Sequence, residues 1–194
     1  MERDALNEIT MKLIELKKDI RIIENFWSSE DCDSYITKTE SIGFEPATIQ
    51  TDNGPRLVDH IRNNNRVIYK DVDLADRLWQ SVKEYAPGEI GESIAIGLNE
   101  LFRFYKYEPG QQFKKHRDQS YIRNAREASY FTFMIYLNDN FKGGSTTFND
   151  LTITPRKGSA LMFYHQLEHE GSEVLEGTKY VLRTDIMFKL SHAK

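Results

Sequence analysis

His116 and Asp118 stand two residues apart in the stretch YKYEPGQQFKKHRDQS. On a β-strand, side chains two apart share a face, so this imidazole and carboxylate can grip one object between them. A metal ion is the object their chemistry suits. His169 follows 53 residues later, in QLEHEGSEVLEGTKY. If the fold returns it to the pair, two neutral histidines and one carboxylate form one face of an octahedral site. That donor set suits non-haem Fe(II), because the remaining positions stay open for a bidentate organic ligand and dioxygen. Lys179 lies ten residues after His169 and begins the last strong strand pattern, KYVLRTDIMFKL. An ammonium turned into the fold is costly unless an anion neutralises it. A dicarboxylate that chelates iron through a 2-oxo acid and meets Lys179 with its far end would satisfy both features. The competing reading is a surface His-x-Asp pair with His169 in a solvated loop.

Other residues join this set by parity and position. Tyr105 and Tyr107 share a strand face; Tyr105 reads first as core packing, whereas the Tyr107 hydroxyl could meet the carboxylate that Lys179 holds. In FKGGSTTF two glycines make a tight turn, and Thr146 re-enters a strand as a possible further hydrogen-bond donor. His165, four before His169, competes for the ligand role, but the ten-residue spacing to Lys179 favours His169 and leaves His165 a polar strand-end role. His60 reads as solvated in a polar loop, and His192 sits near a terminus where fraying disfavours catalysis.

The elements that must position these residues fall into two halves. Ala5, Ile9, Leu13 and Leu16 recur at helical spacing, predicting an amphipathic helix over 3–18 within an N-terminal extension of residues 1–20. A short apolar strand then precedes Ser28 and Asp31, whose capping-box pattern starts a helix over about 29–40. The polar run QTDNGPRLVDHIRNNNR predicts a long loop over 47–66, near the mouth of the site. Leu74, Leu78 and Val82 mark a second helix, ended near Pro87-Gly88. From residue 98 onward, short strands alternate with turns: LFRFYKYEPG, SYFTFMIYLND, GGSTTF, LTITP, GSALMFY and the last strand. The pattern predicts an antiparallel barrel or sandwich with the helices on one outer face.

Composition bounds the rest. The 194 residues suffice for one domain with a sizeable core, and the 26 basic and 30 acidic residues leave a net charge of -4. That balance, with no sustained basic and aromatic strip, argues against nucleic acid as substrate. Cys32 is the only cysteine, which excludes an internal disulfide framework and fits a reducing compartment. The first 20 residues are too charged for a signal peptide, and no early run has the length of a membrane span. A cytoplasmic location is the expectation; oligomeric state is not legible.

Read in order, YEPGQQFKKHRD, FTFMIYLNDNFKGGSTTF, ITPRKGSALMF and HEGSEVLEGTK resemble the catalytic domain of prolyl 4-hydroxylase-like iron(II) and 2-oxoglutarate dioxygenases. IRIIENFWSSEDCDSYI resembles that family's opening strand and helix, so the resemblance covers about 21–190. It implies a mostly β fold with flanking helices, a double-stranded β-helix of the jelly-roll or cupin-like barrel kind. It also implies His116, Asp118 and His169 as iron ligands, Lys179 and Tyr107 at the distal carboxylate of 2-oxoglutarate, and a less defined role for Thr146. Phe113 falls where related enzymes have an aromatic residue near substrate. The implied reaction hydroxylates a C-H bond and releases succinate and carbon dioxide, with ascorbate as a candidate reductant.

The departures from that pattern bear on substrate. Arg183 follows Lys179 by four on the same face, where peptidyl-proline hydroxylases follow their lysine with tryptophan. It could pair with Asp185, supplement Lys179 at the cosubstrate, or bind an acidic substrate. Ser129 occupies the place where proline hydroxylases put a substrate-contacting arginine; Arg123 and Arg126 could reach inward from the loop before it, but read more simply as solvated. A prolyl or other peptide side chain is the first substrate reading, lying between the 47–66 and 119–128 segments. A small metabolite, its carboxylate selected by Arg66 or Arg183, is the second. A cupin-like module without catalysis and a zinc hydrolase are rivals of other classes, and neither accounts for the inward Lys179.

Overall fold

The structure, a computed structural model, describes residues 10–51 and 54–191. Its frame is a large antiparallel sheet whose main path runs through the strands Lys12–Lys17, Ile20–Glu24, Ala160–Tyr164, Glu127–Tyr136, Lys179–Leu190, Leu101–Tyr107, Asn65–Lys70 and Glu45–Pro46. Ser93–Leu98 pairs beside the far half of Lys179–Leu190. A smaller sheet, in the order Phe113–His116, His169–Gly171, Thr146–Phe148 and Leu151–Ile153, contributes the two histidines. The antiparallel pairing is what the alternating strand patterns predict, and the arrangement is the double-stranded β-helix that the resemblance implies.

The two-residue period sorts side chains between two cores. Phe102, Phe104, Phe131, Phe133, Leu182 and Ile186 pack toward the helices, in a cluster with Leu74, Leu78 and Val82. Their neighbours Tyr105, Tyr107, Tyr136 and Val181 point the other way, into a second cluster with Phe148 and Phe163. Both faces of the central strands are therefore buried, and their sequences read as nearly unbroken apolar runs.

The helix Ser29–Ile42 begins as its capping pattern predicts, with the Asp31 amide donating to the Ser28 hydroxyl at 3.0 Å. Val72–Val82 is the second helix, capped by Asp71, whose carboxylate accepts from the Leu74 amide at 2.8 Å. Among the described residues, no helix is long and apolar enough to cross a membrane.

Two expectations need correction. The helix predicted over 3–18 is not formed in its described part: Lys12–Lys17 is a strand, paired with Ile20–Glu24 through Leu13 opposite Ile23 and Ile14 opposite Ile22. Residues 1–9 of that prediction lie outside the described residues. The strand wins because Asp19 adopts φ 64° and reverses the chain, so that Ile14 and Leu16 meet an existing sheet. The 47–66 loop is more structured than expected. It holds a short hairpin, Ile49–Thr51 with Gly54–Arg56, and a bridge between Val58 and Arg62, and its last two residues already belong to the strand Asn65–Lys70.

Candidate active site

His116 ends one strand of the small sheet and sits directly opposite His169 in the neighbouring strand. Asp118 lies just beyond, its amide held by the His165 carbonyl at 3.1 Å. One donor atom from each of His116, Asp118 and His169 falls within 4.8 Å of the others. His116 Nε2 is 3.7 Å from Asp118 Oδ1, and His169 Nε2 is 3.8 Å from Asp118 Oδ2. Each ring is set by a carbonyl two residues before it: Nδ1 of His116 meets the Lys114 carbonyl at 2.7 Å, and Nδ1 of His169 meets the Leu167 carbonyl at 3.0 Å. A carbonyl can only accept, so Nδ1 carries the proton and Nε2 of the neutral ring presents its lone pair inward.

The electrostatics favour this ligand state. Burial, and then the neighbouring His169, press the His116 pKa down to about 4, and burial likewise lowers His169. Burial alone would raise the Asp118 carboxyl, but Arg183 outweighs it and holds the group well below the usual carboxylate range. At neutral pH the cluster is two neutral imidazoles and one carboxylate, with the donor chemistry and open side that ferrous iron requires.

These groups open into a cavity of about 430 Å³ between the two sheets. Tyr105, Tyr107, Phe113, Thr146, Arg66, Lys179 and Arg183 all line it, so each predicted site residue reaches the same space. Lys179 is 3% exposed, its ammonium donating to the Gly144 carbonyl at 2.6 Å and lying 5.3 Å from the Tyr107 ring centroid. Among the described residues no carboxylate comes within 4 Å of it, and burial pushes its pKa down to about 7. A buried cation without an anion, facing three metal donors across one cavity, fits a bound dicarboxylate such as 2-oxoglutarate. The paired glycines make this contact possible. Gly144 has φ +63°, and a Cβ there would stand 2.9 Å from the Phe141 ring and 3.2 Å from the Lys179 chain.

Arg183 occupies the other end. One guanidinium nitrogen lies 3.1 Å from Asp118 Oδ2 and 3.1 Å from Asp185 Oδ1, which favours the pairing reading over a second cosubstrate contact. Arg103 approaches Asp185 at 3.4 Å, and His165 Nε2 at 3.5 Å. His165 is therefore an outlying partner of this network and no part of the ligand cluster. Ser129 is fully buried and its hydroxyl accepts from the Tyr121 amide at 2.8 Å, pinning the segment before it. Arg123 points away to Glu100 at 2.6 Å, and Arg126 donates to the Leu190 carbonyl at 3.1 Å. His60 is exposed and does not line the cavity, and His192 lies outside the described residues.

Three residues escaped the sequence reading. Thr132 donates to Asp118 Oδ2 at 2.5 Å, and the alternation in FTFMIY, which turns it toward the site, was its available signal. Tyr136 is fully buried and donates to Thr146 at 2.7 Å. Arg62 is 6% exposed, with its guanidinium carbon 4.4 Å from the ring centroids of both Tyr105 and Phe113. Phe113 in turn stacks on His116, with centroids 3.5 Å apart. No local pattern marks Arg62, because only the pairing of its loop with the 110–114 turn brings it inward.

Comparison with known proteins agrees with this geometry. A model of the 2OG-Fe(II) oxygenase superfamily matches residues 102–184, the span holding all three metal donors and Lys179. Prolyl 4-hydroxylase 2 of Arabidopsis thaliana is 24% identical over 216 residues, covering 90% of this chain and 69% of the relative. A prolyl hydroxylase from Trichoplax adhaerens, solved with a hypoxia inducible factor peptide, superposes with a TM-score of 0.67 at 19% identity, over 87% of this chain and 83% of that one. The viral collagen prolyl hydroxylase of Paramecium Bursaria Chlorella virus-1, solved with 2OG, gives 0.64 at 20% identity, over 87% and 96%. Donor set, cation and matched span converge on one likeness: over residues 102–184 the chain matches the 2OG-Fe(II) oxygenase superfamily, and over most of its length it is similar to prolyl 4-hydroxylases.

Proposed function

We propose that this oxygenase hydroxylates a C-H bond on a side chain of a peptide or protein, with His116, Asp118 and His169 holding iron and Lys179 holding the far carboxylate of 2-oxoglutarate. The observation that carries the assignment of these residues is three converged donors sharing one cavity with a buried ammonium that has no carboxylate partner among the described residues. Bound iron and 2-oxoglutarate supply the oxidising chemistry, in which dioxygen is reduced and the cosubstrate is decarboxylated to succinate.

The chain's own residues bind and orient. The Lys114 and Leu167 carbonyls fix the two imidazoles, and Thr132 and Arg183 fix the Asp118 carboxylate. Tyr136, through Thr146, braces the wall near Lys179. Burial pushes the Tyr107 hydroxyl up to about 12, so it remains a neutral donor beside that carboxylate. Phe113 stacked on His116 screens the metal end from water. Support for a peptide comes from the prolyl hydroxylase relatives and from the cavity's rim, where Thr48, Ile49 and Pro55 stand with Gln119.

The test is anaerobic titration of Fe(II)-loaded protein with 2-oxoglutarate, followed by mass spectrometry of candidate peptides after admission of air. A metal-to-2-oxoglutarate charge-transfer band at one equivalent, absent from His116→Ala and His169→Ala, supports the residue assignments. Its absence from folded, iron-loaded wild type rejects them. A gain of one oxygen on peptides supports the substrate class, and gain on small metabolites alone rejects it.

A further inference from the structure

The charges lining the cavity exceed what iron and 2-oxoglutarate can use. Among the described residues, Arg62, Arg66, Arg103, Arg117, Lys179 and Arg183 face it, against the one carboxylate of Asp118. Arg183 and Arg103 are answered by Asp118 and Asp185, and Arg117 is exposed. With Asp118 and Asp185 counted against Arg183 and Arg103, a ferrous ion and Lys179 together outweigh a 2-oxoglutarate dianion by one positive charge, so no anion is left over to answer further cations. Arg62 and Arg66 remain, and neither has a carboxylate within 4 Å among the described residues.

Arg62 is the stronger signal. Its Nε donates to Asn64 Oδ1 at 2.7 Å, but Nη2 is buried with no hydrogen-bond partner among the described residues. An arginine nitrogen buried without an acceptor is costly, and its cost is relieved when a ligand brings one. Its position is built in advance. The Lys114 amide donates to the Ile61 carbonyl at 2.9 Å, the Gln112 amide to Asn63 Oδ1 at 2.8 Å, and Arg62 bridges to Phe113. Arg66 stands opposite Tyr105 in the adjoining strand and donates to the Thr48 carbonyl and hydroxyl at 3.2 and 2.7 Å. Burial, and then the charge of Arg62, lower the Arg66 pKa, as two cations sharing a site without an anion require. Planar guanidinium forks match a carboxylate better than any other common side-chain group.

We propose that Arg62 and Arg66 form a second anion subsite, separate from Lys179, which receives a carboxylate of the primary substrate, so that the enzyme selects a C-H bond neighbouring an acidic group. This deepens the oxygenase reading of the same cavity and rests on it. An Asp or Glu of a peptide and a free carboxylic acid offer the same chemistry, and the test separates them.

Anaerobic protein loaded with Fe(II) and 2-oxoglutarate binds without turnover. It is titrated with proline-containing peptides in matched pairs, Asp or Glu against Asn or Gln at varied distance from the proline, and with N-acetylproline against its amide. The acid member of at least one pair should bind about tenfold tighter or more, the range of a hydrogen bond to a charged group. Arg66→Met should erase most of that preference while changing 2-oxoglutarate affinity by less than about threefold, under 1 kcal/mol. Arg62→Met should do the same if circular dichroism shows it folded; the wild-type comparison needs no variant. Preference among small acids alone supports the subsite and overturns the peptide reading. No acid preference in either arm, whether both members bind alike or neither binds, overturns the proposal. So does a loss of 2-oxoglutarate affinity in Arg66→Met or folded Arg62→Met as large as that in Lys179→Met.

Discussion

The two ends of the cavity treat buried charge in opposite ways. At the Asp118 end, Arg183 and Arg103 mesh with Asp118 and Asp185, so every guanidinium there meets a carboxylate within 3.4 Å. At the Lys179 end a single ammonium rests against a carbonyl and two tyrosine rings. The first end is electrically complete and holds the carboxylate of the candidate metal cluster in place. The second is incomplete, and its cost in the ligand-free protein becomes affinity when an anion arrives. Completeness therefore separates scaffold from binding group, although both are cations on one face of one strand.

Breaking the complete end should cost fold stability. Arg183→Met leaves Asp118 and Asp185 buried without their cation, and urea unfolding should show a loss of about 3–5 kcal/mol, the usual penalty for removing one partner of a buried pair. Lys179→Met should do the reverse: removing an uncompensated buried ammonium should leave stability at neutral pH unchanged or raise it, while calorimetry shows 2-oxoglutarate affinity reduced by roughly 2–5 kcal/mol. Equal stability losses in the two variants would erase the distinction. Thr132→Val removes the hydroxyl that orients Asp118, and Fe(II) affinity should drop about 10–100-fold with the fold intact, as for other outer partners of metal ligands.

A further effect is one of pH. Lys179 in the ligand-free fold titrates near 7, so 2-oxoglutarate affinity should be flat below that value and fall about tenfold per unit above it. Because this pKa is depressed on folding, the unfolded chain binds the proton more strongly. Lys179 then favours folding fully above the unfolded lysine value of ~10.4, and that contribution drains away as pH falls toward about 7. Lys179→Met should abolish both slopes, read by calorimetry and by urea midpoints across pH 6 to about 10.

What the sequence disclosed follows from how local each feature is. His116 and Asp118 share a side because they are two apart, and Lys179 follows His169 by ten residues, at the start of the last strand. Arg183 was legible as an inward residue, but its choice between Asp185 and a ligand depended on Asp118, which arrives at 3.1 Å from just beyond the strand Phe113–His116. Arg62 was hidden for a stronger reason: its environment is made by Tyr105 and Phe113, more than forty residues away. The N-terminal strand was misread because Leu13 and Leu16 fit a helical period while Ile14 and Leu16 fit a strand, and only the sheet edge decides between them.

Because each imidazole donates from Nδ1 to a carbonyl two residues earlier in the chain, the ring directions are held by the protein's own backbone. Folding and loading are then separate events, and a chelator should strip the protein without melting it. A ready-made cluster of two imidazoles and a carboxylate also has little means of refusing other divalent ions. In vitro, nickel and copper rank above iron for such donors, so cargo follows supply in the cell rather than preference of the site. Protein purified from an ordinary host should carry a mixture of metals, and its apparent sluggishness would measure misloading before it measured chemistry.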